Sequence, residues 1–276
     1  MADTKPMPNE ADPIVDWRTA SSSPGGLRGS AAMEIQTRQA QRLVHGRGAT
    51  DKKAPIIGLV RFATTMRRIW RAAALDDPWA DWKLLQTYES LTENREGINA
   101  LREQTERLLA SMPGIEIDVA QSQSPCTVPL EFSNPYGFMG AYLIADFDRT
   151  ARAILTARHV GLMGRDESER MLYQGGRLVR SAFNAPQGFQ YQGVTRDDVA
   201  AGTAKARQAI ENLGLPPKEV LEGTLRAPVA PDIRDPKARS EPPPGLYDDE
   251  DDDEADAPAG ERAESYGSAV AQETGT

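Results

Sequence analysis

The sequence predicts a mainly α-helical fold with a small β component, an α+β body. Long segments repeat apolar residues every three to four positions, as amphipathic helices do, and two short stretches alternate apolar with polar residues, as half-buried strands do. Glycine and proline residues stand between these segments, where helices begin and end. With 276 residues, 39% of them apolar and 26% charged, the chain has the composition of a globular protein.

Three regions of the chain differ in composition. Residues 1–27 are rich in proline, serine and glycine, and have too few apolar side chains to offset the entropy lost on ordering, so we predict a disordered leader. Residues 226–276 are rich first in proline and then in acidic residues, which predicts a disordered tail. Residues 28–225 between them are predicted to form a single, mostly helical folded domain.

The front of this domain is predicted to be a strand followed by two helices. Residues 32–37 alternate apolar Met33 and Ile35 with polar side chains. A short helix is predicted over residues 38–46 and a longer one over residues 56–74. One face of the longer helix is apolar, and arginines occupy the opposite face. The apolar face consists of Leu59, Phe62, Ala63, Met66, Ile69, Trp70 and Ala73.

The rest of the domain is predicted to contain four helices and a hairpin. Asp77 and Pro78 are a favourable N-cap and first-turn pair. They open a long helix that reaches residue 112, with a break expected near 92–94. Later helices are predicted over residues 137–160, 166–183 and 195–214. Residues 115–119 and 127–132 each alternate in polarity and are predicted to pair as a β-hairpin.

The formal net charge of −9 conceals an uneven distribution along the chain. Residues 241–276 contain twelve acidic residues and one basic residue, Arg262. Residues 28–71 contain ten basic residues and two acidic ones, Glu34 and Asp51. A basic block near one end and an acidic run at the other are typical of proteins that bind nucleic acid, although a solvated charged face explains the basic block equally well.

Few residues suited to catalysis or metal binding are present. Cys126 is the only cysteine, which excludes an internal disulfide and a thiolate zinc cluster. His45 and His159 are the only histidines, and each lies in the last turn of a predicted helix, where a cation is favourable. No phosphate-binding glycine loop, nucleophile elbow or paired-histidine zinc motif occurs. We therefore expect no enzyme activity, no cofactor and no metal site.

Targeting signals are also missing from the sequence. No stretch approaches the roughly 18 consecutive apolar residues of a membrane-spanning helix. The N-terminal residues lack the charged-then-apolar pattern of a secretory signal. We expect a cytoplasmic protein without membrane contact.

The basic block and the first strand together predict a nucleic-acid site. Arginines opposite an apolar helix face are suited to neutralising phosphates, and the side chains of one strand face are suited to reading bases in the major groove. A strand followed by a short and a longer helix is the order of the ribbon–helix–helix module, in which two subunits each supply one strand. The predicted DNA-contacting residues are Gln36, Arg38, Arg42, Arg47, Lys52, Lys53, Arg61, Arg67, Arg68 and Arg71.

Two other arrangements of the strands are compatible with the sequence. In the first, the strand at 32–37 joins the hairpin at 115–132 in an ordinary small sheet. In the second, residues 127–132 and the two helices after them form the strand–helix–helix unit. This second unit is nearly neutral in charge, so it is less suited to DNA contact.

Four stretches of the sequence resemble the AcaB-like regulators, a bacterial family encoded on integrating conjugative elements and conjugative plasmids. They are IQTRQAQRLVHGR at 35–47, DDPWADW at 76–82, SNPYGFMGAY at 133–142 and ARHVGLM at 157–163. The resemblance extends over residues 30–225. It implies a ribbon–helix–helix DNA-binding role in switching on conjugation genes.

These features predict a DNA-binding transcriptional regulator of conjugative-element transfer genes, which acts on double-stranded DNA as a homo-oligomer. The alternative is a non-enzymatic accessory or scaffold protein of the conjugative transfer machinery, which binds other proteins through the long polar helix at 78–112. The acidic run at 247–254 has two interpretations. It competes with DNA phosphates for the arginines, or it keeps the protein in solution.

Overall fold

The structure is a computed structural model that describes residues 30–49 and 54–234. Residues 1–27, Lys52, Lys53 and the acidic run of the tail lie outside these described residues. The elements follow in the order β1 (Ala32–Ile35), α1 (Arg38–His45), α2 (Leu59–Ala73), α3 (Pro78–Leu109), β2 (Cys126–Pro129), α4 (Pro135–His159), α5 (Arg165–Asn184), α6 (Arg196–Ala200), α7 (Ala204–Leu213) and α8 (Lys218–Leu221). The predicted fold class, mainly α with a small β component, is confirmed.

The core lies among four helices. α3, α4 and α5 pack against one another, and α2 packs across α3 and α4. Phe62 of α2 stacks on Phe183 of α5 with 4.6 Å between ring centroids. A Cβ at Gly175 in α5 would lie 2.8 Å from the Phe147 ring, so this glycine permits the close approach of α4 and α5.

The amphipathic pattern of α2 is confirmed almost residue for residue. Six of the seven side chains assigned to its apolar face are buried, and only Trp70 is half-buried. Arg61, Arg67 and Arg71 are exposed on the other side, and Arg68 is half-buried. Because the buried stripe holds α2 against the core, the rotation of the helix about its axis is determined, and the arginine side must face outward.

The sheet differs from the predicted hairpin. β1 pairs antiparallel with β2, with Met33 opposite Val128 and Ile35 opposite Cys126. Residues 115–119, predicted as the other strand of a hairpin, form no strand, and Ile115 is 59% exposed. The hairpin prediction was wrong because Met33 and Ile35 are buried in the core. Their burial holds β1 beside β2, so β2 pairs with β1 and not with residues 115–119.

Two helix boundaries also required correction. α3 is continuous through residues 92–94, because Thr92 and Asn94 bond backbone carbonyls four residues earlier instead of ending the helix. The helix predicted over residues 195–214 is divided into α6 and α7. Gly202 lies between them with φ +60°, a left-handed conformation that glycine adopts without the Cβ penalty.

Residues 226–234, which the sequence analysis assigns to the tail, contact the helical body. Ala227 and Pro231 are buried, and the Arg234 N–H donates to the Ala74 carbonyl at 3.0 Å. These residues form a strap that crosses the junction of α2 and α3. None of the helices within 30–49 and 54–234 has the length and apolar character needed to cross a bilayer.

Candidate nucleic-acid interface

A buried carboxylate fixes the junction between β1 and α1. Asp148 of α4 is 4% exposed, and its two oxygens accept from the Thr37 N–H at 2.8 Å, the Thr37 hydroxyl at 2.7 Å and the Gln36 N–H at 3.1 Å. Thr37 is also the N-cap of α1, since its hydroxyl accepts from the Ala40 N–H. The direction in which α1 leaves the sheet is therefore set by α4.

Replacing Asp148 with asparagine is expected to destabilise the protein by about 1–3 kcal/mol, because the amide nitrogen would face a backbone N–H that has lost its acceptor. Urea denaturation followed by circular dichroism measures this loss. Asp146→Asn is the matched control, since that carboxylate pairs with the half-exposed Arg95 and its loss costs at most about 1 kcal/mol. Equal shifts in the two variants would contradict the assignment.

Gln36, a predicted base-reading residue, is held by contacts inside the protein. Its Nε2 donates to Glu34 at 2.8 Å. Its Oε1 accepts from the Ser122 N–H at 3.0 Å and from Arg152 Nη1 at 3.2 Å. A bidentate contact to adenine uses both groups of the amide, so Gln36 would have to exchange all three bonds in order to read a base.

The predicted basic residues of α1 lie on its outer side. Arg38 and Arg42 are exposed one turn apart, while Ala40, Leu43 and Val44 are buried. Arg38 is the first residue of α1, where the helix dipole disfavours a cation. The charge of Arg38 therefore does not stabilise α1, and helix stability does not explain why an arginine stands at this position.

The connection from α1 to α2 is closed at its base by a backbone bridge. Arg47 and Ile56 exchange two hydrogen bonds of 2.9 and 2.8 Å, and the Arg47 guanidinium donates to the Ala54 carbonyl at 2.9 Å. A Cβ at Gly46, where φ is +71°, would lie 2.4 Å from the Ile56 carbonyl oxygen. The two glycine-rich ends of the connection can approach because Gly46 and Gly58 have no side chain, and the exposed Arg47 is held beside α2.

The exposed side of α2 is the largest basic surface that the prediction identified. We define the α2 arginine face as Arg61, Arg67, Arg68 and Arg71. Of these, Arg61 and Arg67 are exposed and have no carboxylate partner in the described part of the chain. Val60 is 61% exposed and continues this face toward the start of the helix.

A groove runs beside the α2 arginine face. Val60, Thr64 and Arg67 line it from α2, and Pro129 and Phe132 line it from the end of β2 and the residues after it. Its volume is about 320 Å³. The groove therefore lies between α2 and the end of β2, the strand that pairs with β1.

Sequence reasoning missed a buried ionic cluster at the start of α3. Asp81 is 0% exposed, and it accepts from Arg196 Nη2 at 2.6 Å, Arg226 Nε at 2.8 Å and Arg226 Nη2 at 2.9 Å. Burial alone would lower the pKa of Arg196, but its hydrogen bonds to Asp81 and Asp76 outweigh this effect and raise the pKa. The available signal was an aspartate three positions before Leu84 on the apolar side of a helix, where a carboxylate must have a partner.

The two residues before α3 belong to the same region. Asp76 accepts from Arg196 at 2.5 Å and is the only non-glycine residue with positive φ in the described ranges. Asp77 caps α3 by accepting from the Trp79 and Ala80 N–H groups. Burial raises the pKa of Asp77 to about 7, although both of these hydrogen bonds oppose the rise. The stretch DDPWADW is thus explained by helix capping and by the attachment of α6 and the strap.

No catalytic arrangement is found in the part of the chain that the structure describes. His45, His159 and Cys126 are exposed and lie on different elements. Across the described ranges, no group of three or more histidine, cysteine or acidic side chains is placed to hold a metal ion. The chemistry that this surface can perform is the binding of an anion by guanidinium groups.

A helical body with a two-stranded sheet and exposed arginines on α2 defines a helical protein with an exposed basic face. The chain belongs to the AcaB family: the family model of the transcriptional regulator AcaB matches residues 23–234, so the resemblance to AcaB-like regulators is confirmed. Transcriptional regulators are not an enzyme class. The matched range includes the strap.

One solved structure is similar to this chain. It is the crystal structure of selenomethionine-containing AcaB from uropathogenic E. coli, with 14% sequence identity and a TM-score of 0.49. The similarity covers 71% of this chain and 95% of that chain. Comparison with curated proteins gave no match.

Proposed function

We propose that this transcriptional regulator binds double-stranded DNA through the α2 arginine face and the outer side of α1. The observation that carries the proposal is that Arg61 and Arg67 are exposed opposite an apolar stripe of which six of seven side chains are buried, and that they have no carboxylate partner in the described residues. An arginine without an internal partner keeps its guanidinium available for phosphate. Each phosphate neutralised in this way releases condensed counterions.

The remaining predicted contacts extend this surface. Arg38, Arg42 and Arg47 would add phosphate contacts from α1 and the residues after it, and Lys52 and Lys53, outside the described residues, remain proposed contacts from the sequence alone. Contacts to phosphate fix the position of a protein on DNA without reading its sequence. This part of the interface therefore supplies affinity and not specificity.

Base reading is proposed for the end of β1. Arg38, three positions after the end of β1, is exposed at the start of α1, and an arginine suits the O6 and N7 acceptors of guanine. Gln36 is the weaker reader, because its amide bonds Glu34, Ser122 and Arg152. We assign Gln36 the role of holding the end of β1, with Arg38 as the residue that contacts a base.

The proposed target is the promoter DNA of conjugative-element transfer genes, and the proposed acting form is a homo-oligomer. The sheet of one chain pairs β1 with its own β2, so a ribbon–helix–helix dimer would have to add the β1 strand of a second copy along the other edge. Light scattering of the purified chain, with and without DNA, measures the mass of the assembly. A single-chain mass in both conditions would contradict the dimer.

Replacing Arg61 and Arg67 with serine is expected to weaken binding to any duplex roughly equally, because the lost contacts are to phosphate. Each contact contributes about 0.9 to the slope of log K against log salt concentration, so the slope should become shallower by about 2. Fluorescence anisotropy with a labelled duplex of about 30 base pairs, repeated across a salt series, measures both effects.

The matched control replaces Arg170 and Arg177 with serine. Both are exposed on α5, so the variant loses the same charge from another surface. Binding that weakens equally in the two variants would show a general charge effect and would contradict the α2 arginine face as the site. Binding of the unaltered protein that is absent, or indifferent to salt, would contradict DNA binding itself.

A further inference from the structure

The strap brings the end of the described chain to the α2 arginine face. Arg226 bonds Asp81 and also donates to the Pro231 carbonyl at 2.8 Å, and the Arg234 N–H donates to the Ala74 carbonyl directly after α2. Trp70 and Arg71 at the end of α2 line a cavity of about 510 Å³ together with strap residues. The described part of the chain therefore ends beside the last turn of α2.

The sequence that follows this point is strongly acidic. Residues 241–276 contain twelve acidic residues and one basic residue, and seven acidic residues stand consecutively at 248–254. Residue 248 is fourteen positions beyond Arg234, and fourteen residues span up to about 46 Å when extended. α2 has 15 residues and is about 22 Å long. The acidic run can therefore reach every arginine of the face from this point of attachment.

We propose that the α2 arginine face is a docking surface for residues 248–254 of the same chain, and that these acidic residues exclude DNA from it. Charge complementarity selects this occupant. The acidic run supplies seven consecutive carboxylates, and the guanidinium groups of Arg61 and Arg67 have no acidic partner among the described residues. Attachment beside α2 makes the contact intramolecular, so its local concentration is high without a strong pairwise affinity. The exclusion of DNA rests on the proposed function, whereas the docking does not.

Photocrosslinking of the full-length chain tests the docking without DNA. Tyr247 directly precedes the acidic run, and Tyr266 lies beyond it, so each is replaced in turn by p-benzoylphenylalanine and the crosslinks are mapped by mass spectrometry. We expect crosslinks from position 247 to residues 59–73 of the same molecule, with a severalfold lower yield from position 266. The yield from position 247 should fall when Arg61 and Arg67 are replaced with serine.

Three results would overturn the docking. They are equal yields from positions 247 and 266, crosslinks from position 247 that favour no element, and crosslinks that join two molecules. The variant with Arg170 and Arg177 replaced by serine should crosslink as the unaltered chain does. A loss of crosslinks in that variant would also overturn the assignment to α2.

A full-length variant with residues 248–254 changed to asparagine and glutamine tests the exclusion of DNA. Its binding to duplex should be roughly three- to tenfold tighter at low salt, and the difference should vanish as salt screens both contacts. Added duplex should also suppress the crosslinks of the unaltered acidic run. Crosslinks to α2 in a protein that binds no DNA would overturn the proposed function and the exclusion of DNA. Absent crosslinks together with an unchanged DNA affinity of the neutralised variant would overturn only the docking inference.

Discussion

Replacing Asp81 with alanine is expected to lower the free energy of unfolding by about 3–5 kcal/mol, the largest loss that we predict for any side chain. The carboxylate is 0% exposed and accepts three hydrogen bonds from Arg196 and Arg226. Its removal leaves two partly buried guanidinium groups without their main partner. Uncompensated buried charge costs more than the ion pairs themselves contribute.

Urea denaturation of the unaltered chain and the Asp81→Ala variant measures this loss. The control is Glu169→Ala, which removes an exposed carboxylate paired with Arg165 at 2.9 Å and should leave the free energy of unfolding almost unchanged, because solvent screens an exposed ion pair. Limited trypsin digestion adds a local readout, because release of the strap should increase cleavage after Arg226 and Arg234. A loss below about 1 kcal/mol for Asp81→Ala would contradict the cluster as a stabilising feature.

Replacing Asp77 with asparagine is expected to stabilise the protein at and above pH 7. Burial raises the pKa of Asp77 from 3.8 to about 7, so between these values the folded chain holds a proton that the unfolded chain has released. The stability that this proton provides is fully present below about pH 4 and is lost as the pH rises through 7. Asparagine caps a helix as well as aspartate does and has no charge to bury.

The free energy of unfolding of both proteins, measured from pH 4 to pH 8, tests this expectation. The advantage of Asp77→Asn should grow with pH and approach about 4 kcal/mol above pH 7, since one pKa unit corresponds to about 1.4 kcal/mol. Asp166→Asn is the control, because it removes an exposed carboxylate from the first turn of α5 and should cost about 1 kcal/mol or less. An advantage that does not change with pH would contradict the raised pKa.

The two predictions concern the stretch DDPWADW, one of the four that resemble the AcaB-like regulators. In the structure its carboxylates cap α3 and bind Arg196 and Arg226. Another of these stretches contains Thr37, which caps α1 and bonds Asp148. A third contains Asn134, which caps α4, and Tyr136, which donates to the Leu84 carbonyl at 2.9 Å. These contacts of the three stretches serve folding, and the α2 arginine face lies outside all four stretches, whereas Arg38, Arg42 and Arg47 lie within the stretch at 35–47.

Elements that depend on local pattern were predicted well. α2 follows from a periodic apolar stripe, and α4 and α5 follow from similar periodicity between glycine and proline boundaries. The orientation of the α2 arginine face followed as well, because a helix whose one side is buried must expose the other. These features depend on residues within about two turns of one another, and the sequence presents them side by side.

Features that depend on distant residues were not predicted or were left open, as was the alternative that the strand at 32–37 joins residues 115–132 in one small sheet. Residues 115–119 alternate in polarity as a strand does, yet β2 pairs with β1, almost 100 residues earlier. Gln36 looked free to read a base, and it contacts Ser122 and Arg152 instead. Arg226 was assigned to the disordered tail because its partner Asp81 lies 145 positions away and the sequence gives no sign of their contact.

The amino-acid sequence by itself determined the fold class, the amphipathic helices and the sign of charge on each surface, since these follow from side-chain polarity at short spacing. The tertiary structure alone decided which strand pairs with β1, which carboxylates are buried against arginines, and where the strap attaches. The reason is that such contacts form only when segments far apart in the chain meet. The energy of a buried ion or hydrogen bond depends on those neighbours and not on the residue type alone.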